Sequence, residues 1–96
     1  MKVLWTNTAI AQLGAINGYI SQTSPKYAQR VVDQLTGRSV QIATFPFSGR
    51  MVPEYKLNEI REVIEGSYRI IYLVKTEEQI EALAVVHQSR NIHPSE

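Results

Sequence analysis

The side chains of this 96-residue chain best equipped for chemistry are a carboxylate at Glu54, guanidinium groups at Arg61 and Arg69, and an imidazole at His87. A carboxylate takes up a proton or neutralises a cation, histidine titrates near neutrality, and arginine holds an anion without ever losing its charge. Arg69 is the most constrained of them. In GSYRIIYLV, residues 66–74, strand alternation puts Tyr68, Ile70, Tyr72 and Val74 on one face and Arg69, Ile71 and Leu73 on the other, both largely apolar. A guanidinium half-buried there needs a carboxylate, backbone carbonyls or a bound partner, and pairing with Glu54 or Glu62 is favoured because buried charges are usually paired. By the same reasoning Glu54 reads first as an arginine's partner and only second as a catalytic base. A lone His87 reads first as a hydrogen-bonded packing residue and only second as a general acid. His87 and His93 match no standard zinc spacing in a chain without cysteine, so no metal and no cofactor are expected. Glu77, Glu78 and Glu81 read as a solvated face, and Trp5 as core or a helix–sheet junction. Arg61 and Arg90 are the cations best placed to face a partner, arginine being enriched at interaction hot spots.

These residues depend on a scaffold whose outline is visible in the hydrophobic period. KVLW reads as a short strand, and TNTA supplies helix N-cap residues from Thr6 onward. Ile10, Leu13, Ile16 or Asn17, and Ile20 are the expected inward stripe of a first helix. Ser24 and Pro25 suit the start of a second helix carrying Ala28, Val31, Val32, Leu35 and Ile42, with a bend at Gly37 and a stop at Phe45-Pro46. The short link between them predicts an antiparallel hairpin. RMVPEY then reads as an edge strand because of Pro53. EIREVIEG, SYRIIYLVK and IEALAVVHQSR read as three strands joined by tight turns at Gly66-Ser67 and TEEQ. The plan is α+β: a short N-terminal strand, an antiparallel helical hairpin, then an antiparallel β-sheet meander with helices on one face. Residues 1–96 form one domain, with 91–96 as a tail.

Composition bounds the partners. A chain this short buries only about 60–65% of its unfolded surface, which leaves apolar area near the outside. Hydrophobic residues make up 44% and charged residues 20%, ordinary values for a folded domain. The net charge of +1, from 10 Lys and Arg against 9 Asp and Glu, lacks the basic excess of proteins that grip nucleic acid through phosphates. The absence of cysteine excludes disulfides and thiol chemistry, and polar Thr6, Asn7, Thr8 and Gln12 break up the N-terminal apolar stretch. Neither a signal peptide nor a membrane span is expected, so the chain reads as cytoplasmic.

Several segments taken together resemble a known family. The opening strand ending in Trp5-Thr6, the SP start of the second helix, FPFSGRMVPE, REVIEGSYRIIYLV and the closing VVHQSR, in that order, resemble the ParE/RelE toxin superfamily of bacterial type II toxin–antitoxin systems. The resemblance covers nearly the whole chain. It implies a toxin silenced by an antitoxin encoded beside it, acting either on DNA gyrase, as ParE-like members do, or as a ribosome-dependent messenger RNA endoribonuclease, as RelE-like members do. Fold alone does not choose between them.

Under the RelE-like reading Glu54 is the base, Arg61 and Arg69 hold the phosphate, and His87 is the acid. RelE, however, carries a cluster of lysines and arginines where this chain has Arg50, Lys56 and Arg61 among glutamates, and a C-terminal tyrosine absent here. The catalytic histidine of RelE relatives aligns with Ser89, which sets His87 roughly 6–7 Å away along the strand. VVHQSR resembles the ParE ending, so the expectation is a gyrase-poisoning toxin neutralised by a ParD-like antitoxin, with operator DNA reached only through that antitoxin. An endoribonuclease and a non-toxic antitoxin-binding homologue are the alternatives. The uncovered sheet face, lined by Ile71, Leu73, Leu83 and Val85 on the alternation, is the expected seat of an antitoxin helix or strand. Arg50, Arg61, Arg69, His87 and Arg90 are further candidates for contact with target or antitoxin.

Overall fold

The computed structural model describes residues 1–90, so the tail expected at 91–96, with His93, lies outside the described residues. Eight elements follow one another: β1 (Lys2–Trp5), α1 (Asn7–Ser21), α2 (Pro25–Gly37), α3 (Ser39–Thr44), β2 (Arg50–Met51), β3 (Ile60–Glu65), β4 (Tyr68–Val74) and β5 (Gln79–His87). The five strands make one sheet in the order β1-β5-β4-β3-β2. Strands β2 to β5 form the expected antiparallel meander, whereas β1 runs parallel to β5, so the sheet is mixed. The helices between β1 and the meander supply the long connection a parallel neighbour requires.

Both long helices begin where their caps dictate. Ser24 Oγ accepts from Tyr27 N at 3.2 Å with Pro25 in the first helical position. Thr6 Oγ1 accepts from Ala9 N at 3.2 Å and donates to the carbonyls of Ala82 and Leu83 on β5 at 3.0 and 3.2 Å. That tie sets the rotation of α1. Ala9, Leu13, Ile16 and Ile20 face the sheet, while Ile10, expected inside, is 54% exposed. The second helix of the sequence reading is two: α2 ends at Gly37 and α3 begins at Ser39. At the break Arg38 donates to Glu65 Oε1 at 2.8 Å and Gln41 Oε1 at 2.6 Å, anchoring the bend to the sheet.

The main core lies between helices and sheet, built on Ala9, Val31, Leu35, Ile42, Val63, Ile70, Tyr72, Ile80 and Val85. A smaller core of Val52, Ile60, Ile71 and Val86 sits on the opposite face. Its cover comes from the chain after β2. Only Arg50 and Met51 pair with β3, opposite Glu62 and Arg61, and from Val52 the backbone leaves the edge and folds over the sheet.

One irregularity changes which side chains share a face. Ile71 pairs with Ala84 and Tyr72 with Ala82, so Leu83 is an extra residue in β5, a β-bulge. Residues beyond it change sides relative to simple alternation. Val85, expected on the uncovered face with Ile71, Leu73 and Leu83, belongs to the helix-covered core and is buried. The bulge is held from α1: besides the Thr6 bonds, Gln12 Oε1 accepts from Val85 N at 2.7 Å.

Candidate functional site

On the face away from the helices, Glu62 on β3 and Arg69 on β4 project into the second core and are buried. Arg69 Nε donates to Glu62 Oε1 at 2.6 Å. Its two terminal nitrogens donate to the two oxygens of Glu54 at 2.9 Å each, a bidentate fork of the kind that makes arginine–carboxylate pairing strong. Nη1 also donates to the Arg90 carbonyl at 2.9 Å. Glu62 Oε2 in turn accepts from Arg50 Nε at 2.5 Å, and the Arg50 side chain is 65% exposed. The result is a chain of alternating charge, Arg50–Glu62–Arg69–Glu54, joining the β2–β3 segment, two central strands and the end of the described chain.

The electrostatics follow from that chain. Hydrogen bonding to Glu54, and to Glu62 after it, raises the Arg69 pKa above the ordinary arginine value against the opposing effect of burial. Arg69 is therefore a permanent cation whose donors are committed inside the protein, as the sequence reading favoured. Its partner is both carboxylates at once. The share of Arg50 was not legible, because it depends on a two-residue strand pairing that sets Arg50 opposite Glu62.

The remaining candidates lie elsewhere. Arg61 is on the helix-covered side of β3, opposite Met51 and Tyr72, and donates to the carbonyls of Asn58, Phe47 and Gly49 at 2.8, 3.2 and 3.0 Å. His87 pairs with Tyr68 across β4 and β5, meets its ring edge-on with centroids 5.8 Å apart, and lies 2.9 Å from Ser89 Oγ through Nδ1. Tyr68 packs toward the helices and Arg69 away from them, so Arg61 and His87 share the face that Glu54 and Arg69 avoid. They are also at opposite ends of the sheet, Arg61 at the start of β3 and His87 opposite the start of β4. The four residues of a RelE-type reaction are not assembled. Of the expected antitoxin groove, Ile71 is buried beneath Val52 and Tyr55, Val85 is on the other side, and Leu73 and Leu83 remain half-buried with Ala84. Arg90 is exposed, and only its carbonyl enters the charge network. Among the described residues no cluster of three or more His, Cys, Asp or Glu is placed to hold a metal ion, and no helix is long and apolar enough to cross a membrane.

A family described as the ParE toxin of type II toxin–antitoxin systems, parDE, matches residues 3–92. The chain belongs to the ParE toxin family. A relative, Toxin RelE2 of Caulobacter vibrioides, is 38% identical over 73 residues, covering 76% of this chain and 80% of the relative. The ParE fold is equally visible in solved structures. A structure of a chromosomal ParDE toxin–antitoxin system from P. aeruginosa superposes with a TM-score of 0.72 at 21% identity, over 91% of this chain and 95% of that one. The RelBE2 toxin–antitoxin complex from Mycobacterium tuberculosis superposes with a TM-score of 0.56 at 21% identity, over 91% and 96%. This ParE-family chain thus resembles proteins bearing both ParE and RelE names.

A second feature escaped the sequence reading, which took Phe45-Pro46 as a helix stop and FPFSGRMVPE as part of the family resemblance but assigned neither ring a role. Phe45 and Phe47 are 64% and 51% exposed on the loop between α3 and β2, with the Arg61 guanidinium 5.1 Å from the Phe47 ring centroid. The available signal was FPFSG itself, two aromatics in a stretch with neither helical nor strand period.

Proposed function

We propose that this ParE-family toxin arrests growth by poisoning DNA gyrase and is neutralised by a ParD-like antitoxin. One observation carries the choice of gyrase over RNA: Glu54 and Arg69 neutralise each other on one face of the sheet while Arg61 and His87 lie on the other. Cleavage through a ribose 2′-hydroxyl needs base, acid and cation converging within hydrogen-bond reach of one phosphate. Both oxygens of Glu54 accept from Arg69 rather than facing a substrate hydroxyl, and His87 cannot deliver a proton through the sheet. A ParE-like toxin needs no such convergence, because gyrase performs the cleavage and the toxin interferes with rejoining.

The antitoxin reading rests on family membership and on the toxin–antitoxin assemblies of the structural relatives. The half-buried strip of Leu73, Leu83 and Ala84 offers an apolar seat for an amphipathic segment that folds on binding. With a net charge of +1, contact with operator DNA is left to the antitoxin.

The deciding experiment is a gyrase supercoiling and DNA-cleavage assay with purified protein, beside a translating-ribosome messenger RNA cleavage assay. Blocked supercoiling with accumulated cleaved DNA and intact RNA is expected. Unaffected gyrase with RNA cut on ribosomes would reverse the reading.

A further inference from the structure

Between α3 and β2 the chain holds apolar side chains in water with unusual care. Tyr72, buried at the centre of the sheet, donates its hydroxyl to the Pro46 carbonyl at 2.7 Å and accepts from Gly49 N at 3.2 Å. From the other side Arg61 donates to the carbonyls of Phe47 and Gly49, and Gln41 donates to Ser48 Oγ at 3.2 Å. Gly49 is packed so closely that a Cβ would lie 2.6 Å from the Glu62 carbonyl oxygen and from the Tyr72 hydroxyl. A loop whose backbone is already fastened at Pro46, Phe47 and Gly49 presents Phe45 and Phe47 outward with less left to order when a partner arrives. Val40, 73% exposed, stands one helical turn from Thr44, which lines the same depression as Phe45 and Phe47, and Arg61, whose guanidinium lies 5.1 Å from the Phe47 ring centroid, is the strand partner of exposed Met51.

Charge selects the occupant. The acceptors Arg61 uses are neutral oxygens, the carbonyls of Asn58, Phe47 and Gly49 and the Asn58 amide, so its positive charge stays at the patch. A second copy packed two-fold on the same patch would bring Arg61 toward Arg61. An apolar segment flanked by carboxylates would meet both the rings and the cation. We propose that the Phe45–Met51 patch is where this toxin grips its protein target, through a target segment with an apolar centre and acidic flanks. The inference rests on the gyrase reading and adds the surface and the chemistry of contact.

The test measures binding of the full chain to purified DNA gyrase holoenzyme, with supercoiling inhibition read in parallel and circular dichroism as the folding control. Phe45→Ser/Phe47→Ser is expected to weaken gyrase binding by about thirty-fold or more, the loss of a hot-spot residue, while antitoxin binding is kept. Met51→Lys is expected to bind gyrase more tightly than Met51→Glu, with the wild-type affinity falling as salt rises. Undiminished gyrase inhibition by the folded double variant would overturn the proposal while leaving the gyrase reading intact. So would tighter binding by Met51→Glu, loss of antitoxin binding instead of gyrase binding, or binding of a single-stranded oligonucleotide that the double variant abolishes. A wild-type protein inert toward gyrase would overturn both.

Discussion

The two faces of the β2–β3 end of the sheet reverse the usual relation between polarity and exposure. On the open face, charged groups that look available for catalysis are buried and bonded to one another: Arg69 makes four hydrogen bonds, all to groups of the same chain. On the helix side, Phe45 and Phe47, which look like core, stand in water on a loop fastened by Tyr72 and Arg61. A charge cluster is thus no guide to a reactive site until its partners are counted. An apolar cluster becomes informative once the protein is seen to invest buried polar groups in keeping it outside.

If the open face is structural, breaking it should cost more than any other single change. Arg69→Met removes the cation that Glu54 and Glu62 share and leaves buried Glu62 to Arg50 alone, and a loss of about 3–5 kcal/mol is expected in urea unfolding, enough to endanger a small domain. A folded, fully stable Arg69→Met protein would show that the network is held for something other than structure. Gly49→Ala comes next. Its Cβ meets backbone at the Glu62 carbonyl as well as the Tyr72 hydroxyl, so the loop must shift, at about 1–3 kcal/mol. Thermal unfolding checks the cost, and comparing the near-ultraviolet spectrum with that of the same substitution in a Tyr72→Phe background checks whether Tyr72 moves.

How far this contrast could be read from the sequence depends on range. Caps at Thr6 and Ser24, the hairpin turn at Gly66 with its φ of 59°, the break near Gly37 and the pairing of Arg69 with carboxylates all follow from local pattern or elementary electrostatics. What was misread or missed required knowledge of register. The Leu83 bulge moved Val85 to the other face, the Thr6 anchor turned Ile10 outward, and the short β2 placed Arg50 beside Glu62. None of these leaves a periodic trace, because each is fixed by a bond to a residue far along the chain. The splitting of Glu54 and Arg69 from Arg61 and His87 is legible only after those registers are known.

The tyrosine that fastens the loop gives a pH test. Burial raises the Tyr72 pKa above the ordinary tyrosine value, against smaller opposing effects of the Gly49 N–H, the Arg61 charge and Ser48. A group whose folded-state pKa is raised contributes stability that is complete below its unfolded pKa and is lost as pH climbs through the folded value. Wild-type stability should therefore fall above about pH 10. Tyr72→Phe should flatten that fall and lower the plateau beneath it by about 1–3 kcal/mol, since the Pro46 carbonyl and Gly49 N–H lose their partner. Urea midpoints across the alkaline range separate the two effects, and an unchanged alkaline slope in Tyr72→Phe would assign it to other groups.

The smallest effect should come from the most conspicuous residues. Phe45→Ser/Phe47→Ser removes two aromatic rings, a change that in a core would cost several kcal/mol. Here both rings are more than half exposed, and the bonds fastening the loop reach it through the carbonyls of Pro46, Phe47 and Gly49, which the substitutions leave in place. The unfolding free energy should fall by no more than about 1 kcal/mol, the sum expected for ordinary surface positions and the lost contact of the Arg61 guanidinium with the Phe47 ring. A large loss would mean that the rings support the loop and that the two faces are alike in holding structure. A neutral result makes the contrast sharp: the charge network of one face is costly to disturb, whereas the aromatic loop of the other is tolerant of change and free to serve target recognition.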